Sequence, residues 1–293
     1  MHIRLATTDD LAAIAELAAD AQAAPDRHCA YISMEASAIT DEIEEIPDWA
    51  TGTVVATAGD GTIVAALIAE PDVDMGRVWW WGPFWSVDVA DPAALALDLW
   101  GAAPDHLTSM PEHELCGDGR NTTVDAMAAS LGFGTDEASA VLTFEIPASA
   151  DSTAAPTSIR PMTAADGAPV AELHELHFAG SHLPPEQAAS LDDDRIRFVA
   201  VDEAGTVAAY AIAEIQADGG GYLDYLGTRP DAQGNGHGTA LVAACVAEFA
   251  ARGCRNAHLT VRESNLAARR VYEKASFTEE RLLRPHRRGF TLG

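Results

Sequence analysis

The chain repeats itself. Ile3-Arg4, Thr7, Asp10 and Ala15-Glu16-Leu17 recur as Ile159-Arg160, Thr163, Asp166 and Ala171-Glu172-Leu173, 156 positions later. Gly61-Thr62, Ala65 and Ile68-Ala69-Glu70 recur as Gly205-Thr206, Ala209 and Ile212-Ala213-Glu214, now 144 positions later. Asn121 and Phe133 return at that same 144 as Asn265 and Phe277. The change from 156 to 144 puts an insertion of 12 residues in the first copy, between Leu17 and Gly61. Whatever fold one copy takes, the other has to take it too.

With 293 residues, two such copies have room for separate cores. The small, polar run from Pro147 to Pro156 reads as a joint. The expected organisation is a first domain over 1–146, a linker over 147–157 and a second domain over 158–293. Each copy reads as a short strand and helix (Ile3–Ala24; Ile159–Ala179), then a hairpin (Val54–Glu70; Arg197–Gln216) turning near Gly61 or Gly205. A strand, helix, strand, helix and last strand follow. That order predicts a mixed α/β class, with a twisted, partly parallel sheet flanked by helices in each domain.

The second copy carries a feature that the first lacks. Leu226-Gly227-Thr228 ends a strand, Arg229-Pro230-Asp231-Ala232 makes a turn, and Gln233-Gly234-Asn235-Gly236-His237-Gly238 leads into a helix that opens at Thr239. Glycines let backbone N–H groups converge at a helix N-terminus, which binds phosphate without a basic side chain. A P-loop is excluded because no lysine precedes Thr239, and a dinucleotide fingerprint is excluded because Thr239 occupies the third glycine's place. At the matched positions the first copy has Val89-Ala90-Asp91-Pro92-Ala93-Ala94, where aspartate repels an anion and proline lacks an N–H.

The string from Leu226 to Gly238 resembles the strand, turn and pyrophosphate loop of the GNAT acetyltransferases. Asn265-x-x-Ala268-x-x-x-Tyr272-x-x-x-Ser276-Phe277 is similar to a second segment of that family, with Ser276 in place of the usual glycine. The resemblance implies two tandem GNAT-like domains, with a degenerate first copy and acetyl-CoA as co-substrate in the second. It implies that Gln233 to Thr239 cradle the pyrophosphate and that Leu226, Gly227 and Thr228 pair with the pantetheine arm. Asn265 would contact that arm, and the Tyr272 hydroxyl would lie near the thioester sulfur. Asn265 also reads as a plain helix N-cap, a role that Asn121 keeps in the first copy. Tyr272 also reads as a core aromatic, although Ala128 stands at its matched position.

The implied reaction is direct transfer of an acetyl group to a primary amine, either a small molecule or a peptide. Asp224, two residues before Leu226 on the same strand face, is the candidate base, with Glu214 second. Either carboxylate could hold the substrate ammonium instead. A non-catalytic acyl-CoA-binding regulatory or interaction protein is the alternative. His174, His177 and His182 fall where the resemblance places substrate-binding elements; a solvated surface is the other reading. The run Trp79 to Trp85 reads as a strand packed on both faces.

Composition bounds the partners. Forty-five acidic residues against 18 basic ones give a net charge of −27, which excludes a nucleic-acid binder relying on phosphate neutralisation. Amine substrates would be drawn to such a field, and a solvated acidic surface is the simpler account. Cys29, Cys116, Cys245 and Cys254 form no Cys-x-x-Cys pair and read as reduced, buried residues of a cytoplasmic protein. No metal is expected, since His174 and His177 lack a third ligand at sensible spacing. No membrane span is expected, and the sequence leaves monomer or homodimer open.

Overall fold

The computed structural model describes residues 1–147, 158–181, 183–216 and 219–290. They form two compact units, Met1–Ser139 with Arg281–Gly293, and Ala140–Glu280. The linker expected over 147–157 lies, apart from Pro147, outside the described residues.

In unit 1, β1 (His2–Leu5), α1 (Leu11–Gln22), α2 (Ala36–Glu45) and α3 (Trp49–Gly52) precede the hairpin β2 (Val54–Thr57) and β3 (Ile63–Asp72). Then come β4 (Arg77–Trp85), α4 (Pro92–Gly101), α5 (Asp105–Thr108), β5 (Glu112–Asp118), α6 (Thr122–Ser130) and β6 (Gly134–Thr135). In chain order the next strand, β7 (Ser139–Glu145), lies almost wholly in unit 2. It is followed by β8 (Ile159–Pro161), α7 (Gly167–Phe178), α8 (Pro185–Ala189), and the hairpin β9 (Ile196–Val201) and β10 (Val207–Ile215). Unit 2 continues with β11 (Gly221–Thr228), α9 (His237–Ala251), β12 (Asn256–Arg262) and α10 (Leu266–Lys274). The last strand, β13 (Thr278–Arg288), runs antiparallel to β5 from Leu283↔Asp118 to Arg288↔His113, which puts its end in unit 1. Strand order is β1-β2-β3-β4-β5-β13 in unit 1 and β7-β12-β11-β10-β9-β8 in unit 2. Pairing partner, not position in the sequence, decides to which unit a final strand belongs.

The repeated residues do the same work twice. Thr7 donates its N–H and hydroxyl to Asp10 at 2.7 and 2.9 Å, and Arg4 forks onto that carboxylate at 2.6 and 2.9 Å. Thr163, Asp166 and Arg160 reproduce this corner at 2.7 to 2.8 Å. Gly61 and Gly205 take φ of 91° and 80° in the two hairpin turns, where a side chain would be strained. The Trp run is packed on both faces as expected: Trp80, Trp81, Phe84 and Trp85 are buried, with Trp80 against Trp100 at 4.5 Å. A Cβ on Gly221 would lie 2.4 Å from the Phe249 ring, so this glycine lets α9 settle directly on β11. All four cysteines are buried and free. Among the described residues, no helix is long and apolar enough to cross a membrane.

Candidate active site

The site is a gap in the unit 2 sheet. β11 and β12 run parallel and pair at Gly221↔Ala257 and Tyr222↔His258. Among the described residues the ladder goes no further, so Leu223 to Thr228 have no register with β12. On its other side β11 pairs with β10 throughout, but the register shifts between Ile212↔Tyr225 and Ala213↔Leu223. Asp224 is therefore the extra residue of a β-bulge, a device that bends a strand and re-aims its side chains. Burial alternates along β11, with Tyr222, Asp224, Leu226 and Thr228 on the less buried face.

At the open end of the gap stands the glycine loop. Gly234 and Gly236 have φ of 80° and 83°, and a Cβ at either would meet nothing within 4 Å. Backbone conformation, not space, demands glycine there. Gly236 is the N-cap of α9, and among the described residues no side chain caps its first turn. The N–H groups of His237, Gly238 and Thr239 thus open the helix with its partial positive charge uncovered. Arg229 lends no charge to the loop, because its guanidinium is held by Asp202 at 3.0 Å and Asp231 at 2.5 Å. Gln233, whose Nε2 lies 3.5 Å from the Thr228 carbonyl, and Asn235 are exposed.

α10 completes the wall. A Cβ on Gly238 would touch Val271 at 3.6 Å and Leu226 at 3.8 Å, so the loop, β11 and α10 meet at this residue. Asn265 is the N-cap of α10 and accepts from the Ala268 N–H at 3.1 Å, as Asn121 does from Val124 at 3.2 Å. The capping reading of Asn265 is what the geometry displays. Tyr272 is buried, and burial, then the neighbouring Tyr222 and Cys245, raises its phenol pKa well above the usual value. Ser276 adopts φ of 66°, where the first copy has Gly132 at 74°.

The carboxylates and histidines separate clearly. Glu214 faces Arg195 at 3.4 Å. Asp224 lies close enough to Tyr210, Tyr222 and Tyr225 to add to the upward shifts that burial gives their hydroxyls. His174 is fully buried, which corrects the solvated reading. Its Nε2 donates to the Leu183 carbonyl at 2.8 Å, so Nδ1 accepts the Tyr210 hydroxyl at 2.9 Å. His177 is exposed and its Nε2 donates to the Thr228 carbonyl at 2.9 Å, at the end of the gap. His182 lies outside the described residues. Sequence reasoning passed over Tyr210, Tyr222 and Tyr225, although Tyr222 and Tyr225 flank Asp224 in the sequence.

Unit 1 repeats the gap and fills it. β4 and β5 pair from Arg77↔Glu112 to Trp80↔Leu115 and then part. Residues 27–30 enter there: Cys29 bridges Gly117, the Ala30 N–H donates to the Cys116 carbonyl at 2.9 Å, and Asp118 N–H donates to the His28 carbonyl at 3.1 Å. On the β4 side Arg27 donates to the Trp85 carbonyl at 3.1 Å. Gln22 clamps Cys29 through both backbone groups at 2.8 and 2.9 Å, and Asn121 Nδ2 donates to the His28 carbonyl at 3.1 Å. This segment lies within the stretch where the repeat requires extra residues. The helix after the gap, α4, starts at Pro92 with Asp91 as its N-cap.

Residues 168–277 match the model of the acetyltransferase (GNAT) family. A mycothiol acetyltransferase of Saccharopolyspora erythraea is 34% identical over 105 residues, which cover 32% of this chain and 35% of the relative. The chain spans little more than a third of the length of the curated relatives it matches, 35% and 38%. A GCN5-related N-acetyltransferase from Sphaerobacter thermophilus has a similar structure, with a TM-score of 0.70 at 19% identity over 98% of this chain and 95% of that one. A tandem GNAT protein from the clavulanic acid biosynthesis pathway gives 0.61 at 16% identity over the whole of both chains. At these identities the likeness is one of fold.

Proposed function

We propose, from the match of residues 168–277 to the model of the acetyltransferase (GNAT) family, that the chain is an acetyl-CoA-dependent N-acetyltransferase working in its second unit. The acceptor is a primary amine on a small molecule or peptide. One observation carries the reading: the same gap occurs twice, open beside an uncapped glycine-led helix in unit 2 and filled by residues 27–30 in unit 1.

The chain's own groups fit the co-substrate. N–H groups of His237, Gly238 and Thr239, with Gln233 to Gly236 shaping the loop, offer a cradle for a pyrophosphate. Leu226, Gly227 and Thr228 present backbone for the pantetheine amides in the manner of an added strand, the place taken in unit 1 by residues 28–30. Asp224, turned out by the bulge, receives the proton of the attacking ammonium directly or through water. A backbone N–H of Leu226 to Thr228 steadies the negative charge on the thioester oxygen. As nitrogen bonds to the acetyl carbon and the carbon–sulfur bond breaks, Tyr272 gives its proton to the departing thiolate, and the second proton that the nitrogen sheds on becoming an amide restores the Tyr272 phenol through water. The raised pKa of the phenol keeps its proton in place until the thiolate departs. Glu214, already beside Arg195, is left a structural part. The four buried thiols suit a reducing cytoplasm.

Release of free CoA, followed across a panel of primary amines, tests the proposal. Amine-dependent release is expected. Saturable CoA binding with no amine giving turnover would move the chain to the class of acyl-CoA-binding regulatory proteins.

A further inference from the structure

Along an antiparallel pair, backbone groups alternate between bonding the neighbour and turning away from it. The Arg229 N–H donates to the Ala208 carbonyl at 2.8 Å, so the backbone of Arg229 faces β10. Thr228, one residue earlier and opposite Ala209, therefore points its own N–H and C=O into the gap. That carbonyl already has a donor. His177, exposed in the last turn of α7, gives it the Nε2 proton at 2.9 Å. The imidazole lies close against the strand: a Cβ on Gly227 would be 3.2 Å from His177 Cδ2 and 2.5 Å from Tyr210 Cε1. The bare backbone of Gly227 is what lets both rings lie there.

Unit 1 meets the same need with another residue. Trp85 stands opposite Ala65 as Thr228 does opposite Ala209, and the Ser86 N–H donates to the Val64 carbonyl at 2.8 Å as Arg229 does to Ala208. The Trp85 carbonyl is thus the counterpart of the Thr228 carbonyl, and Arg27 Nη1 donates to it at 3.1 Å. Arg27 is buried and tied to Asp20 at 2.8 Å. It is not the repeat partner of His177, because Ala21 stands 156 positions before His177. Two unrelated side chains therefore serve one carbonyl. The demand comes from the parted strands, which leave a backbone acceptor without a strand partner. In unit 1 the donor belongs to the segment that fills the gap; in unit 2 it stands beside an open one.

We propose that His177 is a positioning residue of the transfer site, presenting the Thr228 carbonyl to an amide N–H of the pantetheine arm. A carbonyl oxygen has two lone pairs. The imidazole N–H takes one from α7, fixes the direction of the carbonyl and leaves the other for a ligand in the gap. Preorganisation of this kind strengthens binding because less has to be ordered when the ligand arrives. The inference rests on the proposed acetyl-CoA site and adds to it a residue outside β11, the glycine loop and α10.

Calorimetry of the full chain with acetyl-CoA tests this on the wild type and on His177→Ala, His177→Asn and His177→Gln. A glutamine side chain can put an amide N–H where Nε2 stands, and asparagine is too short to do so. The alanine and asparagine variants should bind acetyl-CoA about fivefold more weakly, the fold-change of one hydrogen bond worth about 1 kcal/mol. The glutamine variant should recover most of that loss. Urea midpoints should stay at the wild-type value, since His177 is exposed. Binding by the alanine variant within about twofold of the wild type, a glutamine variant no tighter than alanine, or a lowered midpoint with unchanged affinity overturns the role of His177 and leaves the acetyl-CoA site standing. A wild-type chain that binds no acetyl-CoA overturns both.

Discussion

The carboxylate of Asp91 accepts a hydrogen bond from the backbone N–H of Ala94 at 3.0 Å, so the first turn of α4 carries its own anion. The matched turn of α9 begins at Gly236 and has no such side chain. One chain therefore displays the two states of a helix N-terminus, self-capped and open. With residues 27–30 filling the first gap as well, calorimetry should give one acetyl-CoA per chain, and a stoichiometry of two would sink the distinction. Asn235→Asp, which puts a carboxylate where the repeat has Asp91 and leaves the glycines in place, should weaken acetyl-CoA binding by roughly fivefold or more, since a carboxylate at that terminus sets about 1 kcal/mol or more against the pyrophosphate.

α10 is pinned differently at its two ends. Asn265→Ala removes the bond to the Ala268 N–H and should cost about 1 kcal/mol in urea unfolding, while Asn265→Asp keeps it. An alanine variant as stable as the parent would contradict the capping role. At the other end Ser276 is held at φ of 66°, so Ser276→Gly should stabilise the chain by about 1 kcal/mol, as Gly132 already does for unit 1.

Much of this was legible because it is written locally. The corner of Thr163 with Asp166, the turns at Gly205 and Gly236, and the cap at Asn265 each need only a few consecutive residues. What escaped needs two distant segments at once. The bulge at Asp224 is a mismatch of register between β10 and β11, and neither strand contains it alone. His174, on α7, can stay buried because the Tyr210 hydroxyl, on β10, donates to its Nδ1. Residues 27–30 lie in the stretch without a repeat partner, so the comparison that exposed every other element was blind to the plug. The exchanged ends of β7 and β13 obey pairing, which strand propensity does not encode.

His113 gives the molecule a pH dependence of known sign. The Trp80 indole N–H donates to its Nδ1 at 3.2 Å, and burial, then the Arg288 charge, lowers its pKa from 6.5 to about 4. The unfolded chain takes up a proton below pH 6.5 that the folded chain refuses. This contribution to stability is thus complete above pH 6.5 and shrinks as the pH falls towards about 4. Urea midpoints should drop across that window more steeply for the wild type than for His113→Gln, which has nothing to titrate. An imidazole midpoint near 6.5 by NMR would refute the assignment.

Tyr272 is where the chemistry can be separated from the fold. Its phenol is buried and its pKa raised, so at neutral pH it holds a proton to give and takes none. Tyr272→Phe deletes that proton and keeps the ring, which packs 6.2 Å from Phe277. The glycine loop and β11, where the proposed co-substrate contacts lie, are untouched. Turnover should fall on the order of a hundredfold, with acetyl-CoA affinity, measured by calorimetry, nearly unchanged. Equal losses in affinity and turnover would make Tyr272 a binding residue, and unchanged turnover would return it to the core. Ala128 stands buried at the matched place in unit 1, so the fold of that copy holds without the hydroxyl, and an unchanged urea midpoint for Tyr272→Phe would assign the lost rate to the reaction.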